Sequence, residues 1–259
     1  MSSAALKADN MIPMRERVSE AEWAARVELA ALYRVIHHFG MTDLIANHIT
    51  MRVPDEPGHI LINAYGLTYD EITASNLYKI TVDGEVGLKP DVDFGLNATG
   101  YVIHAARDDL HVVIHTHIPA GTGVSAMRCG LLPLSQTAAL IDGTIGYHDY
   151  EGVALNFEER TRLTANLGTG NLLILRNHGL IACGRDCAEA FLYIYRLENA
   201  CKMQIAALAG GLENAGFISG TALETTRDIL RAHPSIADGK LQWRAMRRRM
   251  DRIDPSYRD

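Results

Sequence analysis

Cysteine is scarce in this sequence. Four cysteines occur among 259 residues, and no two of them form a CxxC pair. A chain of this length can build a core without disulfide bonds, so we expect reduced thiols, as in cytoplasmic proteins, at Cys129, Cys183, Cys187 and Cys201.

Long apolar segments are also absent. No run approaches the roughly 18 residues that a membrane-spanning helix needs. The N-terminal segment lacks the apolar stretch of a signal peptide. We therefore expect a soluble, cytoplasmic protein without a membrane partner.

The sequence has no excess of basic residues. Its formal net charge is −6, whereas nucleic-acid-binding domains usually carry a basic patch. We therefore expect no nucleic-acid partner. The one basic run, residues 244–249, fits the solvated face of a last helix, with a partner contact as the alternative.

Nucleotide-binding motifs are missing too. No GxGxxG sequence follows a predicted strand, and no GxxxxGK[ST] sequence is present.

The composition, 47% hydrophobic and 22% charged, is that of a globular protein with a sizeable core.

The hydrophobic pattern divides the chain into three parts. Residues 1–18 show no periodicity and are predicted to form a flexible N-terminal arm. Residues 19–211 form the main domain, which ends at the Gly210-Gly211 pair. Residues 212–259 are predicted to be a helical C-terminal extension, with helices at 221–232 and 240–252.

Within the main domain, strands and helices are interspersed. Helices are predicted to begin at Ser19, at Asn156 and at Asp186, each with a capping residue and a glutamate three positions later, and another near 99–109. Strands are predicted at 59–63, 78–82 (followed by a turn at 83–84), 111–115, 171–176 and 180–183. Several strands are joined by short turns, which favours a mixed sheet with flanking helices over a doubly wound one.

The sequence His115-Thr116-His117 follows a run of buried-strand residues. Because side chains alternate across a strand, both imidazoles point to one side and Thr116 to the other. Two imidazoles on one strand face can chelate a single ion. A lone His-x-His pair is more often structural than metal-binding, so this pattern alone does not establish a site.

A third histidine, His178, lies in a tight turn between two predicted strands, where Gly179 is free to adopt a positive φ. Three neutral imidazoles with an open position are typical of catalytic zinc sites. The spacing alone leaves a second interpretation open, in which His178 is a hydrogen-bonded turn residue.

The sequence resembles the class II aldolase/adducin family from about residue 20 to 211. The matching segments are LAALYR (29–34), NHITMR (47–52), LIN (61–63) with Gly66, EITAS (71–75), HTH (115–117), PLSQT (133–137), YHDYEG (147–152), RNHG (176–179) and AALAGG (206–211). Together these motifs are highly specific, and they are closest to the adducin-like bacterial branch, which is related to L-fuculose-phosphate aldolase.

The resemblance implies a fold, a cofactor and an assembly. The family fold is an α/β three-layer α/β/α sandwich around a mixed, mainly antiparallel sheet. Its enzymes bind one divalent metal per chain, usually Zn²⁺, with Mn²⁺, Fe²⁺ or Co²⁺ as alternatives. The implied ligands here are His115, His117 and His178. Family members are commonly homotetramers with active sites at subunit interfaces.

The sequence departs from the sugar-phosphate aldolases at the proton-transfer position. The glutamate that these enzymes carry nineteen residues before the first metal histidine corresponds to Leu96, and no glutamate falls there in either possible register. The replacement candidates are His104, His48, Tyr147 and His148. His104 is predicted as a catalytic residue, with a capped or solvent-facing helix histidine as the alternative. Tyr147 is the other catalytic prediction, because its segment resembles the one that carries an intersubunit tyrosine.

Two phosphate-binding loops of the family also differ here. The first aligns with residues 47–50 and has His48 in place of the usual asparagine, and the second has Tyr65 at a hydroxyl position. We expect both loops to line the substrate pocket. A carboxylated or aromatic small molecule fits this lining at least as well as a phosphorylated one. The predicted substrate-binding residues are His48, Thr50, Asn63, Tyr65 and Gly66.

Two classes of function follow. The first is a metal-dependent lyase that cleaves a carbon–carbon bond by retro-aldol chemistry through a metal-stabilised enediolate, with decarboxylation or dehydration as related alternatives. The second is a non-catalytic, adducin-like interaction module. The three metal-type histidines favour the enzyme, because an interaction module does not need them.

Overall fold

One sheet of seven strands runs through the computed structural model, which describes residues 12–82, 98–152 and 157–259. The strands lie in the order β3-β2-β1-β4-β7-β6-β5. They are β1 (His48–Arg52), β2 (His59–Ile62), β3 (Tyr78–Thr81), β4 (Val112–Thr116), β5 (Ile145–His148), β6 (Leu172–Leu175) and β7 (Gly179–Gly184). All neighbours pair antiparallel except β5 and β6, which are parallel. The predicted mixed, mainly antiparallel sheet is therefore confirmed.

Helices cover both faces of this sheet. In the described part of the chain they are α1 (Met14–Arg17), α2 (Glu20–His38), α3 (Ala98–Ala106), α4 (Pro119–Ser125), α5 (Gln136–Ala139), α6 (Phe157–Leu167), α7 (Cys187–Leu208), α8 (Gly220–Ala232) and α9 (Lys240–Ile253). Short 3₁₀ turns occur at Tyr69–Glu71, Leu212–Asn214, Pro234–Ile236 and Pro255–Arg258. None of the helices in these ranges is long and apolar enough to cross a bilayer.

Each face of the sheet has its own core. Residues of α2, α7 and α9 form the larger cluster together with the strand residues on that face, including Ile49, Ile114 and Leu180. A smaller cluster joins α3 and α6 to the opposite face, where Val113 and Ile181 lie. Strand β4, the middle strand of the seven, is buried along its whole length. A polar side chain on β4 is therefore held in a densely packed setting.

The helix-start signals of the sequence are confirmed at two of the three predicted positions. The Ser19 hydroxyl accepts a hydrogen bond from the Glu22 N–H at 3.1 Å, and the Asp186 carboxylate accepts from the Glu189 N–H at 2.9 Å. The third cap, Asn156, lies outside the described residues, as do the turn at 83–84, Leu96 and residues 1–11. The remaining part of the predicted N-terminal arm contains one helical turn, α1.

Residues 212–259 pack on the preceding part of the chain. Helix α9 lies against α2, where the Trp243 Nε1–H donates to Glu28 Oε2 at 2.7 Å. Tyr257 is fully buried, and its carbonyl accepts from the Ala74 N–H at 3.0 Å. In the basic run, Arg247 pairs with Glu28, whereas Arg244 and Arg249 are exposed. The run is therefore in part the solvated face that was expected.

Tyr33, on α2, connects two strands near the candidate site. Its buried hydroxyl lies 2.5 Å from the Ile49 carbonyl oxygen and 2.8 Å from Asn63 Oδ1, and it accepts from the Ile49 N–H at 3.1 Å. One hydroxyl therefore provides hydrogen-bond contacts both to the backbone of Ile49 in β1 and to the side chain of Asn63 after β2.

Replacing this hydroxyl tests its contribution. We expect Tyr33→Phe to lower the free energy of unfolding by about 1–3 kcal/mol, because buried groups of Ile49 and Asn63 lose their partner. Urea unfolding followed by circular dichroism measures the change. Tyr195→Phe, at a partly exposed ring of α7, serves as the control. It should change the free energy of unfolding by less than about 0.5 kcal/mol. Equal effects of the two variants would contradict this role.

Candidate metal centre

The three predicted metal ligands meet at one end of the sheet. His115 is the fourth residue of β4, and His117 follows one residue after that strand ends. Strand β7 pairs antiparallel with β4, with Thr116 opposite Leu180. This register brings His178, which lies just before β7, next to the His115–His117 pair. Their ligand atoms all lie within 4.8 Å of one another.

The turn that carries His178 differs from the sequence-based expectation. The positive φ (59°) belongs to Asn177, not to Gly179. Gly179 is required for another reason, since a Cβ there would lie 2.3 Å from the Thr116 carbonyl oxygen and 3.1 Å from the ring of His117. A side chain at this position would push β7 away from β4, so the glycine permits the close approach that brings the histidines together.

The hydrogen bonds of the ring nitrogens define the tautomers. His115 Nδ1 lies 3.1 Å from the Leu180 carbonyl oxygen, which can only accept, so Nδ1 carries the proton. His117 Nδ1 lies 3.1 Å from Asp43 Oδ2, and an ionised carboxylate also only accepts. In the neutral imidazoles both Nε2 atoms are then unprotonated lone-pair donors.

These lone pairs point at one another. His117 Nε2 is 3.0 Å from His115 Nε2 and 3.0 Å from His178 Nε2. Between the unprotonated nitrogens of His115 and His117 this distance is not a hydrogen bond, and their lone pairs repel. A cation between them removes the repulsion. Two imidazole nitrogens bound to one tetrahedral zinc ion are about 3.3 Å apart, so the observed donor set fits a divalent metal.

Burial keeps the imidazoles of His115 and His178 neutral. It lowers the pKa of His115 well below its ordinary value, with the neighbouring histidines as secondary causes. Burial, followed by His117 and His148, lowers the pKa of His178 to about 4. Metal ligation requires neutral imidazole, and this environment supplies it near pH 7. In the described ranges, the group of potential ligands contains these three histidines and no carboxylate.

We call His115, His117 and His178 the triad. His48 lies beside it. It pairs with His115 across β1 and β4, and the two ring centroids are 5.2 Å apart. Burial, followed by His117 and His178, lowers the pKa of His48 to about 3. Thr50 lies two residues further along β1, on the same face and away from the triad.

His104 lies behind Thr50 on the same side of the sheet. Its Nε2 is 2.9 Å from the Thr50 hydroxyl and its Nδ1 is 3.2 Å from the Leu110 carbonyl oxygen. The side chain is buried, and both ring nitrogens are engaged in contacts that connect α3, β1 and the start of β4. The structure thus does not bring His104 together with the triad, and both of its ring nitrogens contact other groups.

The loop after β2 lies at the same end of the sheet. Continuing the β1–β2 register places Ala64 opposite His48. Asn63 is buried against Tyr33, Tyr65 is partly exposed, and Gly66 has a φ of +99°. The register therefore places this loop next to the start of β1, where His48 lies.

Tyr147 and His148 occupy opposite faces of β5. The Tyr147 hydroxyl accepts from the Leu131 N–H at 3.0 Å, and the Arg176 guanidinium lies 4.4 Å from its ring centroid. His148 is buried, with Nε2 3.4 Å from Glu159 Oε1. It lines a cavity next to His178 together with Tyr150 and Glu159.

Two residues at the site carry no recognisable sequence signal. Tyr150 is exposed, and its ring centroid is 6.3 Å from that of His178. Asp43, in the loop between α2 and β1, contacts His117. The HDY stretch after Tyr147 pointed to the region of Tyr150 but not to that residue, and no motif marks Asp43.

The environment of His104 predicts a pH dependence of stability. Burial, followed by the charge of Arg52, lowers its pKa to about 3, whereas the unfolded-state value is about 6.5. Between these pH values the unfolded chain binds a proton that the folded chain does not, so stability falls as the pH falls from 6.5 towards 3. His104→Gln should reduce this slope by up to about 1.4 kcal/mol per pH unit.

Urea unfolding of metal-free protein at pH 7, 6 and 5 measures this slope. His59→Gln, at a partly exposed histidine of β2, is the control for the replacement of a histidine by glutamine, and the slope of His104→Gln should fall below that of this control. Parallel curves for wild type and His104→Gln would contradict the assignment.

A family model and several known proteins match this sequence. The model of the Class II Aldolase and Adducin N-terminal domain family matches residues 27–205. A Caulobacter vibrioides protein named for the class 2 aldolases is 42% identical over 259 residues, covering 97% of this chain and 100% of its own length. Alpha-adducin of Rattus norvegicus is 44% identical over 202 residues, which are 75% of this chain and 27% of the adducin.

Solved structures show the same fold. An aldolase II superfamily protein from Pseudomonas syringae has a TM-score of 0.87 and 43% identity, with 96% of this chain and 100% of that chain covered. L-fuculose 1-phosphate aldolase from Glaciozyma antarctica has a TM-score of 0.79 and 22% identity, with 92% and 93% covered. At this identity the second likeness concerns the fold alone.

Proposed function

The chain belongs to the class II aldolase and adducin family, and from this premise we propose that it is a metal-dependent lyase that cleaves a carbon–carbon bond of a small molecule by retro-aldol chemistry. The observation that carries the proposal is the convergence of three imidazole nitrogens, two of them fixed as unprotonated by their hydrogen bonds. His115, His117 and His178 would hold one divalent ion, with Zn²⁺ expected first and Mn²⁺, Fe²⁺ or Co²⁺ as alternatives.

A divalent metal at this position supplies Lewis-acid stabilisation of negative charge on a substrate oxygen. The side chains around it determine what binds next to that oxygen. The buried, neutral imidazole of His48 would line one side of the site. The loop of Asn63, Tyr65 and Gly66 would line the same side, next to His48. The cavity beside His178 forms the other side.

Proton transfer requires a group near the reacting atoms. Tyr150 has an exposed phenol next to His178, and it is the tyrosine of this chain that we propose for the role. Neither His104 nor Tyr147 reaches the triad of its own chain. Tyr147 keeps its predicted role only in the homotetramer, which is also part of this proposal.

The alternatives use the same site differently. Decarboxylation or dehydration would also draw on charge stabilisation by the metal. An adducin-like interaction module would need no metal, and the similarity to alpha-adducin is the observation that favours it. Metal content separates this module from the enzymes.

The first test of the proposal is elemental analysis of protein purified without chelator. We expect about one divalent transition metal per chain, lost in His178→Ala because two imidazoles alone form an incomplete site. His117→Ala should likewise lose metal and turnover while the fold survives. His59→Ala, at a histidine outside the triad, should keep the metal. Wild-type protein that binds no metal after soaking would favour the interaction module.

A second test concerns the substrate. The cavity next to His178 is lined by the carboxylates of Asp149, Glu151 and Glu159 and by one guanidinium, that of Arg176. The carboxylates outnumber the guanidinium, so the lining disfavours a phosphate dianion. Together with His48 and Tyr65 in the two loops, they lead us to expect sugar phosphates to be poor substrates. Turnover of fuculose 1-phosphate should be at least about tenfold below that of the best non-phosphorylated hydroxy-carbonyl or carboxylated compound found in a screen, a difference of about 1.4 kcal/mol in barrier height. Comparable rates would contradict this expectation.

A further inference from the structure

Asp43 contacts the candidate metal centre from outside. It lies in the loop between α2 and β1, and its Oδ2 is 3.1 Å from His117 Nδ1. This nitrogen is on the far side of the ring from Nε2, which points to His115 and His178. Asp43 is therefore not a member of the triad, although it forms a hydrogen bond with the ring of His117.

Two hydrogen bonds within the loop hold the backbone of Asp43 in place. The Asp43 N–H donates to Asn47 Oδ1 at 2.6 Å, and the Asp43 carbonyl accepts from the Ala46 N–H at 2.8 Å. Asn47 is only 1% exposed, so the anchor of the loop is itself fixed. The next residue, Leu44, has a φ of +47° and is 79% exposed. A positive φ is unfavourable for leucine, and this turn keeps Asp43 directed at His117.

The histidines of the triad differ in what fixes their rings. His115 is buried on β4, and a backbone carbonyl accepts its Nδ1–H. His117 follows the end of the strand, and its side chain is 22% exposed. Among the described residues, no strand neighbour holds the ring of His117 as Leu180 holds that of His115. The orientation of the His117 ring therefore depends on a side-chain partner.

We propose that Asp43 is a positioning residue for the metal, which holds His117 in the Nδ1–H tautomer with Nε2 turned towards His115 and His178. Carboxylates bonded to the second nitrogen of a metal-binding histidine fix ring orientation and increase ligand basicity. The inference rests on the proposed metal function of the triad, and it assigns this chain's metal affinity in part to a loop that contributes no ligand.

The test is the zinc dissociation constant, measured by competition with a chromophoric chelator. We expect Asp43→Ala to weaken zinc binding about 10–100-fold, the usual effect of removing such a partner. Asp43→Asn should weaken zinc binding less, because the asparagine amide oxygen, although uncharged, still accepts a hydrogen bond from the His117 Nδ1–H. Unfolding of the metal-free variants should match that of the wild type, since Asp43 is half exposed.

Asp70→Ala is the matched control. Asp70 is as exposed as Asp43 and also lies near a histidine, with Oδ1 3.6 Å from His37 Nδ1, but His37 is outside the triad. This variant should bind zinc like the wild type. If the wild type binds zinc and Asp43→Ala binds it within twofold, the inference is overturned and the metal function stands. If the wild type binds neither zinc nor Mn²⁺, Fe²⁺ or Co²⁺, both are overturned.

Discussion

The antiparallel pairing of β4 with β7 is the constraint on which the candidate site depends. Residues 115 and 117 lie close together in the chain, but His178 is more than sixty residues away from them in sequence. The register that places Thr116 opposite Leu180 brings the turn of His178 to the end of β4, and Gly179 allows the two backbones to approach. Without this approach the chain would have a His-x-His pair and a distant turn histidine.

A second consequence of the pairing is electrostatic. The carbonyl of Leu180 holds the proton of His115 on Nδ1, and Asp43 does the same for His117, so the two Nε2 lone pairs face one another. Burial disfavours imidazolium at His115, so protonation of this ring does not readily relieve the repulsion near neutral pH. A divalent cation does. The geometry therefore connects fold and function through the protonation of ring nitrogens rather than through the spacing of the histidines alone.

Local patterns predicted much of the fold. Ser19 and Asp186 opened helices as their capping spacing indicated, and alternation along β4 placed His115 and His117 on one side. Strand β1 was not predicted as a strand, because its polar residues, His48, Thr50 and Arg52, face a buried side of the sheet instead of solvent. Polar residues inside a sheet are recognisable only when their partners across it are known.

The site was predictable where a motif carried it and not where it depended on contacts distant in sequence. The triad followed from the family resemblance, and the structure brings its members together. His104 looked available because it lies on the helix before the metal strand, but its two ring nitrogens contact Thr50 and Leu110. Asp43 and Tyr150 reach the triad from loops whose conformation no short motif encodes.

Anomalous X-ray diffraction at the zinc absorption edge, on crystals grown with Zn²⁺, tests the central claim most directly. The account predicts one strong peak per chain, about 2.0–2.1 Å from the Nε2 atoms of His115, His117 and His178, with the Nδ1 of His117 still bonded to Asp43. No peak at the triad, or a peak held by other residues while the three rings remain in contact, would contradict it.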